Sequence, residues 1–322
     1  MVRNKKNICI FISLTVVLIA VFLFSLFGGV SFFYPDADTL LIIRQIRLPR
    51  VLMAIVTGAA LAASGCVFQG ILRNPLADPF TLGISGGAAF GASCGFVFGL
   101  TFLGWFFIPL CAFAGALLSV SIVYFLNSGK RFNSNSMILS GVIISYIFSS
   151  AVMLVYVLSS AQQIQNAFMW LMGSFSNFDE RLLPFVFIVI ILGTAILCLS
   201  GNIINAVALG GDKSETLGID TQKTIKIIFL TASLITACAV SVCGVIGFVG
   251  LMMPHIMRKI IGSNHALLIP VSALAGAVFL PLCDSLARML FAPVIIPVGV
   301  VTSIIGGIFF IFLFIKSNRT AL

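Results

Sequence analysis

Charge-free apolar runs, separated by short polar stretches, dominate the chain. Eight such runs of 18 residues or more occur, at 7–35, 51–72, 80–129, 132–178, 182–211, 227–255, 266–283 and 289–315. Because about 20 apolar residues span the hydrocarbon core of a bilayer, runs of this length indicate membrane-crossing helices. The pattern predicts an all-α, multi-pass protein of the cell membrane.

Turn residues and charges divide these runs into ten predicted helices. We expect helices near 8–28, 51–71, 80–99, 105–127, 137–159 and 183–202, a seventh from 225, and three more within 266–315. Three full crossings need about 60 residues, so at least one of the last three must be short or oblique. The stretches 34–50 and 162–181 are expected to lie outside the membrane, on the extracytoplasmic side.

Composition and charge agree with this interpretation. The 322 residues are 60% hydrophobic and 8% charged, with mean hydropathy +1.21, whereas soluble domains carry roughly 25% charged residues. The net charge of +9 follows from the retention of Lys and Arg in cytoplasmic loops and does not indicate nucleic acid binding. Ten crossings place both termini in the cytoplasm. Arg288 then counts as inside, and Arg258, Lys259 and the cluster Arg44–Arg50 count as outside.

An internal sequence match suggests two inverted halves. Its members recur at offsets of 177 to 180: Ser64, Phe68-x-Gly70 and Pro75 are echoed by Ser241, Phe248-x-Gly250 and Pro254. About five crossings separate the copies, and an odd number inverts the second copy. We therefore expect a single transmembrane domain over 1–322, with repeats of about 1–160 and 180–322. Small residues spaced by four, over 58–70 and 83–99, predict close helix packing.

The polar residues argue against several classes of function. No G-x-x-x-x-G-K-[ST] is present, so the chain has no P-loop of its own, and no nucleophile–His–acid set indicates an enzyme. No acidic residue lies in the middle of a long apolar run, which argues against ion-coupled transport, although backbone carbonyls could still bind sodium. Asp284 and Arg288, spaced i, i+4, are the best exception and are interpreted as a structural or inside-surface pair.

No cofactor, metal or disulfide is expected. The eight cysteines lie in or beside apolar runs without a C-x-x-C pair, which is typical of small apolar packing residues. His255 and His265 have no carboxylates near them in the sequence to complete a metal site.

Two polar segments suggest contact with partner proteins. The segment at about 205–222 is too hydrophilic at its centre to enter lipid and contains bounding glycines. It is either a solvated loop or a short helix that a soluble partner grips on the cytoplasmic face. On the other side, the cluster Arg44–Arg50 suits an acidic partner, because arginine forms bidentate pairs with carboxylates.

Eight short stretches resemble the FecCD-type permeases, which are subunits of ABC importers for vitamin B12, iron–siderophores and haem. They are RLPR at 47–50, GAALAASG at 58–65, NPLADP at 74–79, LGISG at 82–86, MWLMGSF at 169–175, GFVGLMMPH at 247–255, DSLAR at 284–288 and PVGVVT at 297–302. The resemblance extends from about residue 40 to 316, and the stretches are specific when taken together.

The resemblance implies the B12-importer-like fold of type II ABC importers, with about ten helices in two inverted five-helix repeats. It implies a permease for an iron chelate (siderophore or haem) or a corrinoid, and no catalytic residues in this chain. The implied partners are a second permease subunit in a homodimer, two cytoplasmic ATP-binding subunits that hydrolyse ATP, an extracytoplasmic substrate-binding protein and membrane lipid, with no nucleic acid. Cobalamin as the substrate, a self-contained secondary transporter or channel, and an intramembrane enzyme are the alternatives.

The resemblance also implies positions for the functional residues. Contact with the ATPases falls on the coupling segment: Gly210, Gly211, Asp212, Ser214, Glu215, Leu217 and Gly218. Docking of the binding protein falls on Arg47 and Arg50, and the cytoplasmic gate on Ser134 and Asn135. Two departures from the family pattern stand out. Ser214 replaces a usual Ala, and Ile295-Ile296 precede Pro297 where a Glu-aliphatic pair is usual.

Overall fold

The computed structural model describes residues 2–28, 37–128, 133–176, 178–208, 221–290 and 294–320, and within these ranges the chain is helical with no strand. Its α-helices, in chain order, are α1 (Val2–Phe27), α2 (Ala37–Ile42), α3 (Leu48–Ile71), α4 (Ile84–Val97), α5 (Phe107–Ser128), α6 (Ser134–Val157), α7 (Ala161–Leu171), α8 (Leu183–Leu199), α9 (Gly201–Ala208), α10 (Thr221–Cys243), α11 (Val249–Ile261), α12 (His265–Met289) and α13 (Val298–Thr320).

Eight helices in these ranges are long and apolar enough to cross a membrane, namely α1, α3, α5, α6, α8, α10, α12 and α13. The apolar helix α4 has 14 residues and α11 has 13. At a rise of 1.5 Å per residue each covers about 20 Å, less than the roughly 30 Å of a hydrocarbon core. Among the described residues, these ten long or apolar helices match the expected number of crossings, but two of them are shortened.

Polar residues fix several helix starts. Asn133 caps α6 by accepting from the backbone N–H of Asn135 at 3.0 Å, and Asn264 caps α12 by accepting from Ala266 at 3.1 Å. Ser160 caps α7 in a capping box with Gln163. Each cap satisfies a backbone N–H that has no partner within its own helix.

Two expectations about the course of the chain were wrong. The outside loop expected at about 34–50 is helical in its described part, because α2 continues through a five-residue π-helical turn, Ile43–Arg47, into α3. The stretch 162–181 contains the helix α7, and its place outside the membrane stays a prediction. The region 266–315 contains two long helices instead of three. Pro270 and Pro281 do not divide this region further, because both lie inside α12. The tenth helix is α11, which precedes this region.

Helix α3 forms the centre of the fold. Nineteen of its 24 residues are buried, and it packs against α8, α10, α11 and α12. Glycines permit the closest contacts, since a Cβ on Gly58 would overlap the Gly276 carbonyl of α12, and one on Gly65 would overlap Gly250 of α11. The prediction of close packing along 58–70 is confirmed.

Contacts between helix ends define two ends of the bundle. At one end of the bundle, the start of α3 contacts the last turns of α1 and α12. We call it the Arg50 end. At the opposite end, Gly70 of α3 contacts His265, which begins α12. Because α11 finishes four residues before His265, Arg258 and Lys259 lie at the opposite end, while Arg288 lies at the Arg50 end. The sequence-based assignment, which grouped Arg258 and Lys259 with Arg50 and put Arg288 on the other side, therefore does not hold.

Candidate functional site

A charged cluster occupies the Arg50 end of the bundle. The Arg50 side chain is 7% exposed and that of Asp284 is 1% exposed. Arg50 donates from Nε to Asp284 Oδ2 at 2.9 Å and from Nη2 to Oδ1 at 2.8 Å. Its third nitrogen, Nη1, donates to Ser176 Oγ at 2.9 Å. All three guanidinium nitrogens are thus engaged within the protein.

Two further arginines attach the end of α1 to this cluster. Arg47 Nη1 donates to the carbonyls of Leu26 and Gly28 at 2.8 and 2.9 Å. Arg288 Nη2 donates to the Ser25 carbonyl at 3.0 Å, and its Nε lies 3.4 Å from Asp284 Oδ2. Cations near a helix C-terminus complement its unsatisfied carbonyls and its dipole. Arg44, one turn earlier, is exposed.

The docking residues inferred from the sequence therefore have different environments. Arg50 is buried in a bidentate pair, whereas Arg47 is half-buried. Sequence reasoning paired Asp284 with Arg288 and missed Arg50, its closer partner. The signal that was available is that a charge at the edge of an apolar run needs a partner when it is buried.

Two cavities open beside the cluster. One, of about 320 Å³, is lined by Gln45, Ile46, Pro49, Arg50, Phe175, Ser176, Phe178, Asp179, Glu180 and Arg181. The other, of about 390 Å³, includes four aromatic residues and is lined by Phe96, Gly104, Trp105, Ile108, Pro109, Asn166, Met169, Trp170, Ser174, Phe178, Asp179, Val242 and Cys243. Because Phe178 and Asp179 line both cavities, this face is concave and carries both aromatic and charged groups.

Two breaks in the helical structure lie deeper in the fold. The first, residues 72–83, connects α3 to α4, and the second, residues 244–248, connects α10 to α11. Each short helix begins directly after a residue with left-handed backbone, Gly83 (φ 87°) before α4 and Phe248 (φ 68°) before α11. The chain thus repeats one arrangement, a long helix, a break and a short helix.

The first break contacts the first turn of α11 at Gly250. The position that a Cβ would occupy there lies 2.8 Å from the Leu61 carbonyl oxygen, 2.9 Å from Asp78 Oδ1 and 3.2 Å from Pro79 Cδ. Gln69 Nε2 lies 3.4 Å from the carbonyl oxygens of Gly250 and Leu251. Only glycine fits this contact, because any side chain would displace the first break.

The internal sequence match aligns residues that do not occupy equivalent positions in the structure. Phe68 lies inside α3, with its ring 5.7 Å from that of Phe229, whereas Phe248 precedes the first turn of α11. In the structure Phe248 corresponds to Gly83, since each residue immediately precedes a short helix. The Phe68–Phe248 match therefore pairs residues in unlike positions.

The residues inferred for the gate lie at the end opposite Arg50. Ser134 and Asn135 form the first turn of α6, and Asn135 is exposed. Asn127 at the end of α5 braces this turn, because it accepts from Ser136 Oγ at 2.7 Å and donates to Ser140 Oγ at 2.9 Å. The inferred docking and gate residues are thus on opposite faces. The inferred coupling residues, 210–218, lie outside the described residues.

The described residues form a bundle of apolar helices with a charged cluster at one end. Among the described residues no group of three or more His, Cys, Asp or Glu could hold a metal ion. Membrane-crossing helices surround broken helices, and a charged cluster closes one end. These features define a multi-pass membrane protein.

The model of the FecCD transport family matches residues 7–316, and the chain belongs to this family of ABC transporter permeases. Relatives that are named for different substrates align over most of it. The hemin transport system permease protein HmuU of Yersinia pestis is 40% identical over 282 residues, covering 85% of this chain and 83% of the relative. The molybdate import system permease protein MolB of Haemophilus influenzae is 37% identical, covering 86% and 82%. The vitamin B12 import system permease protein BtuC of Salmonella typhi is 32% identical over 321 residues, covering 98% of each chain.

A solved structure shares the fold. An inward-facing metal-chelate type ABC transporter superposes with a TM-score of 0.85 at 33% identity, covering 96% of this chain and 99% of the other. The fold inferred from the resemblance, an all-α permease of the B12-importer type, is confirmed.

Proposed function

We propose that this chain is the permease subunit of an ATP-driven importer that carries an iron chelate, a siderophore complex or haem, across the cytoplasmic membrane into the cell. The observation that carries the proposal is the likeness over 96% of the chain to a metal-chelate type ABC transporter. A corrinoid is the second candidate, favoured by the B12 permease that aligns over 98% of the chain. A self-contained secondary transporter is the weaker alternative.

ATP hydrolysis belongs, in this proposal, to two separate cytoplasmic subunits. The sequence contains no P-loop, so the energy must reach this chain through contact. The proposed contact is the coupling segment, with Gly210, Gly211, Asp212 and Ser214 at its start and Glu215, Leu217 and Gly218 at its end.

A second copy of the permease is proposed to complete the pathway. Helix α6 exposes Tyr146, with a relative exposure of 72%, together with Ser149 and Ser150. In a helix that faced only lipid, these hydroxyl groups would lie in hydrocarbon at a free-energy cost. A face covered by a second subunit, or lining an aqueous path between two subunits, avoids that cost. This supports a homodimer, with Ser134 and Asn135 gating its cytoplasmic side.

Docking of an extracytoplasmic binding protein is proposed at the Arg50 end. In this proposal Arg47 and the exposed Arg44 meet acidic side chains, and Arg50 contributes from behind, fixed by Asp284. This places both termini in the cytoplasm. It also moves Arg258 and Lys259 inside and Arg288 outside, which strengthens the excess of inside Lys and Arg over the earlier assignment.

Reconstitution tests the proposal. The permease, its ATPase and its binding protein would be placed in proteoliposomes, and ATP-dependent uptake of a ferric siderophore, haem and cobalamin would be measured separately. Uptake of one iron chelate that stops without ATP supports the first candidate, and uptake of cobalamin alone supports the second. Uptake by the permease alone, driven by an ion gradient, would overturn both.

A further inference from the structure

Helix α9 packs between α3 and α12 at the end of the bundle opposite the Arg50 end. In its first turn, a Cβ on Gly201 would overlap the backbone of Ala266 in α12. One turn later, Ile204 is fully buried against Gly70, the penultimate residue of α3, where a Cβ would lie 2.7 Å from Ile204 Cγ2. The inner face of α9 therefore touches both the end of α3 and the start of α12.

Asn205 joins α9 to the start of α12 through three hydrogen bonds. Its Oδ1 accepts from the His265 backbone N–H at 2.8 Å and lies 2.9 Å from His265 Nδ1, and its Nδ2 donates to Asn264 Oδ1 at 2.7 Å. Because a backbone N–H can only donate, the orientation of the Asn205 amide is fixed, and His265 Nδ1 must carry the proton of the shared bond. The three bonds thus specify one arrangement of α9 against α12.

Arg73 joins the end of α9 to the end of α3. It donates from Nη2 to the Val207 carbonyl at 2.6 Å, and this carbonyl in the last turn of α9 has no acceptor role within its own helix. The Arg73 backbone is left-handed (φ 48°), in the turn after a helix where glycine is usual. A long side chain at this strained position indicates that the contact with Val207 is what the position requires.

The position of α9 in the chain gives these contacts a role in transport. The helix ends at Ala208, two residues before the proposed coupling segment begins at Gly210. We propose that Asn205 and Arg73 are positioning residues that make α9 move together with α12 and α3, so that ATP hydrolysis at the coupling segment is converted into movement of the core. This inference rests on the proposed function.

The two helices that α9 contacts reach the other face of the bundle. Helices α3 and α12 are joined there by the buried pair of Arg50 and Asp284. Packed helices with fixed contacts at both ends can carry a displacement from one face to the other. Without the contacts of Asn205 and Arg73, α9 shifts against its neighbours, and the ATPase completes its cycle without moving them.

The ratio of substrate imported to ATP hydrolysed tests this role. It would be measured in proteoliposomes that contain the permease, its ATPase and its binding protein, with a ferric siderophore, haem and cobalamin supplied in turn. In Asn205→Ala the ratio should fall about fivefold or more, the lower range of coupling between two sites, while ATP hydrolysis continues. Asn202→Ala, at an exposed position of the same helix, is the matched control. A wild-type ratio in Asn205→Ala, or equal falls in both variants, would overturn the inference.

Arg73→Gly separates the proposed role from simple stabilisation, and it keeps the test decisive if Asn205→Ala does not fold. Glycine relieves the left-handed backbone, so the Tm of the isolated permease should stay the same or rise. Loss of the contact with Val207 should nevertheless lower the ratio. Lys259→Ala, which removes an exposed cation at the same end of the bundle, should change neither. A normal ratio in Arg73→Gly would contradict the role of Arg73.

Two other results distinguish this inference from the proposal on which it rests. Loss of ATPase co-purification in Asn205→Ala would show that α9 serves assembly of the transporter, and would overturn this inference alone. Uptake by the wild-type permease without its ATPase, driven by an ion gradient, would contradict the proposed function and this inference with it.

Discussion

Arg50 and Asp284 connect the start of α3 to the last turns of α12 through hydrogen bonds of 2.8 and 2.9 Å, although 234 residues separate them in the sequence. Both side chains are almost completely buried. Such a pair gains little net stability over apolar packing, but loss of one partner is costly because the other charge stays buried and unpaired. The pair therefore fixes which helix ends meet.

Replacing Asp284 should destabilise the permease strongly. Asp284→Ala leaves Arg50 and Arg288 without their shared carboxylate, and we expect a loss of about 3–5 kcal/mol in the free energy of unfolding. Denaturant titration of the purified protein in detergent would measure it. Asp179→Ala is the matched control, because its partner Arg181 is 68% exposed and such pairs contribute about 1 kcal/mol or less. Equal losses in the two variants would contradict the structural role of the Arg50 pair.

Adding one methyl group at the contact of α3 with α12 should also be costly. In Gly58→Ala the new Cβ would overlap the Gly276 carbonyl, and overpacking of this kind costs about 1–3 kcal/mol. Gly307→Ala on α13 adds the same methyl group in open space. We expect a lower Tm and a lower yield of monodisperse protein in the first variant only. A lowered Tm in Gly307→Ala would mean that a second subunit covers that position.

Charge reversal at the Arg50 end should weaken docking of the binding protein. Arg44→Glu and Arg47→Glu should each slow association several-fold, with a larger effect at low salt, because charges at the rim of an interface act mainly on the association rate. Surface plasmon resonance on nanodisc-embedded transporter would measure the rates. Lys316→Glu, an exposed charge near the end of α13, is the control, and an equal effect there would contradict docking at the Arg50 end.

Arg50→Glu should behave differently from its neighbours. It would place two carboxylates in one buried site, so we expect loss of folded protein rather than selective loss of docking. Monodisperse Arg50→Glu protein with normal stability and weakened docking would show that Arg50 itself meets the partner.

Changes in the coupling segment should separate the permease from its ATPase. Leu217→Asp and Gly218→Leu should abolish co-purification of the ATPase while leaving the Tm of the isolated permease unchanged. Lys223→Glu, just beyond the segment, serves as the control for added negative charge. Normal co-purification and normal ATP-dependent uptake in Leu217→Asp would remove the segment from the proposed contact.

The helices that lie in long apolar runs were predictable from the sequence. The boundaries of α3, α5 and α6 lie within three residues of the expected ones, because charges, glycines or polar residues flank each run. Sequence-based prediction failed where tertiary packing overrides local signals. Proline normally ends a helix, yet Pro270 and Pro281 lie within α12, so residues 266–315 contain two long helices and not the three expected.

The candidate site was less predictable because its key partners are distant in sequence. The i, i+4 spacing of Asp284 and Arg288 was visible, but the pairing with Arg50 depends on how α3 and α12 pack. Asp78 belonged to a recognised motif, NPLADP, without any sign that it faces Gly250. When two segments that are far apart in the sequence pack together, no periodic pattern in a single sequence reveals the contact.

The long separation of Arg50 from Asp284 also has a consequence for biosynthesis. Ribosomes add about 5–20 residues per second, so α3 enters the membrane roughly 10–50 s before α12 is complete. During that interval the Arg50 guanidinium has no carboxylate partner from α12. Its place in the first turn of α3 allows the side chain to extend to the lipid–water interface while it waits. The arginine can therefore guide the insertion of α3 first and join the finished bundle later.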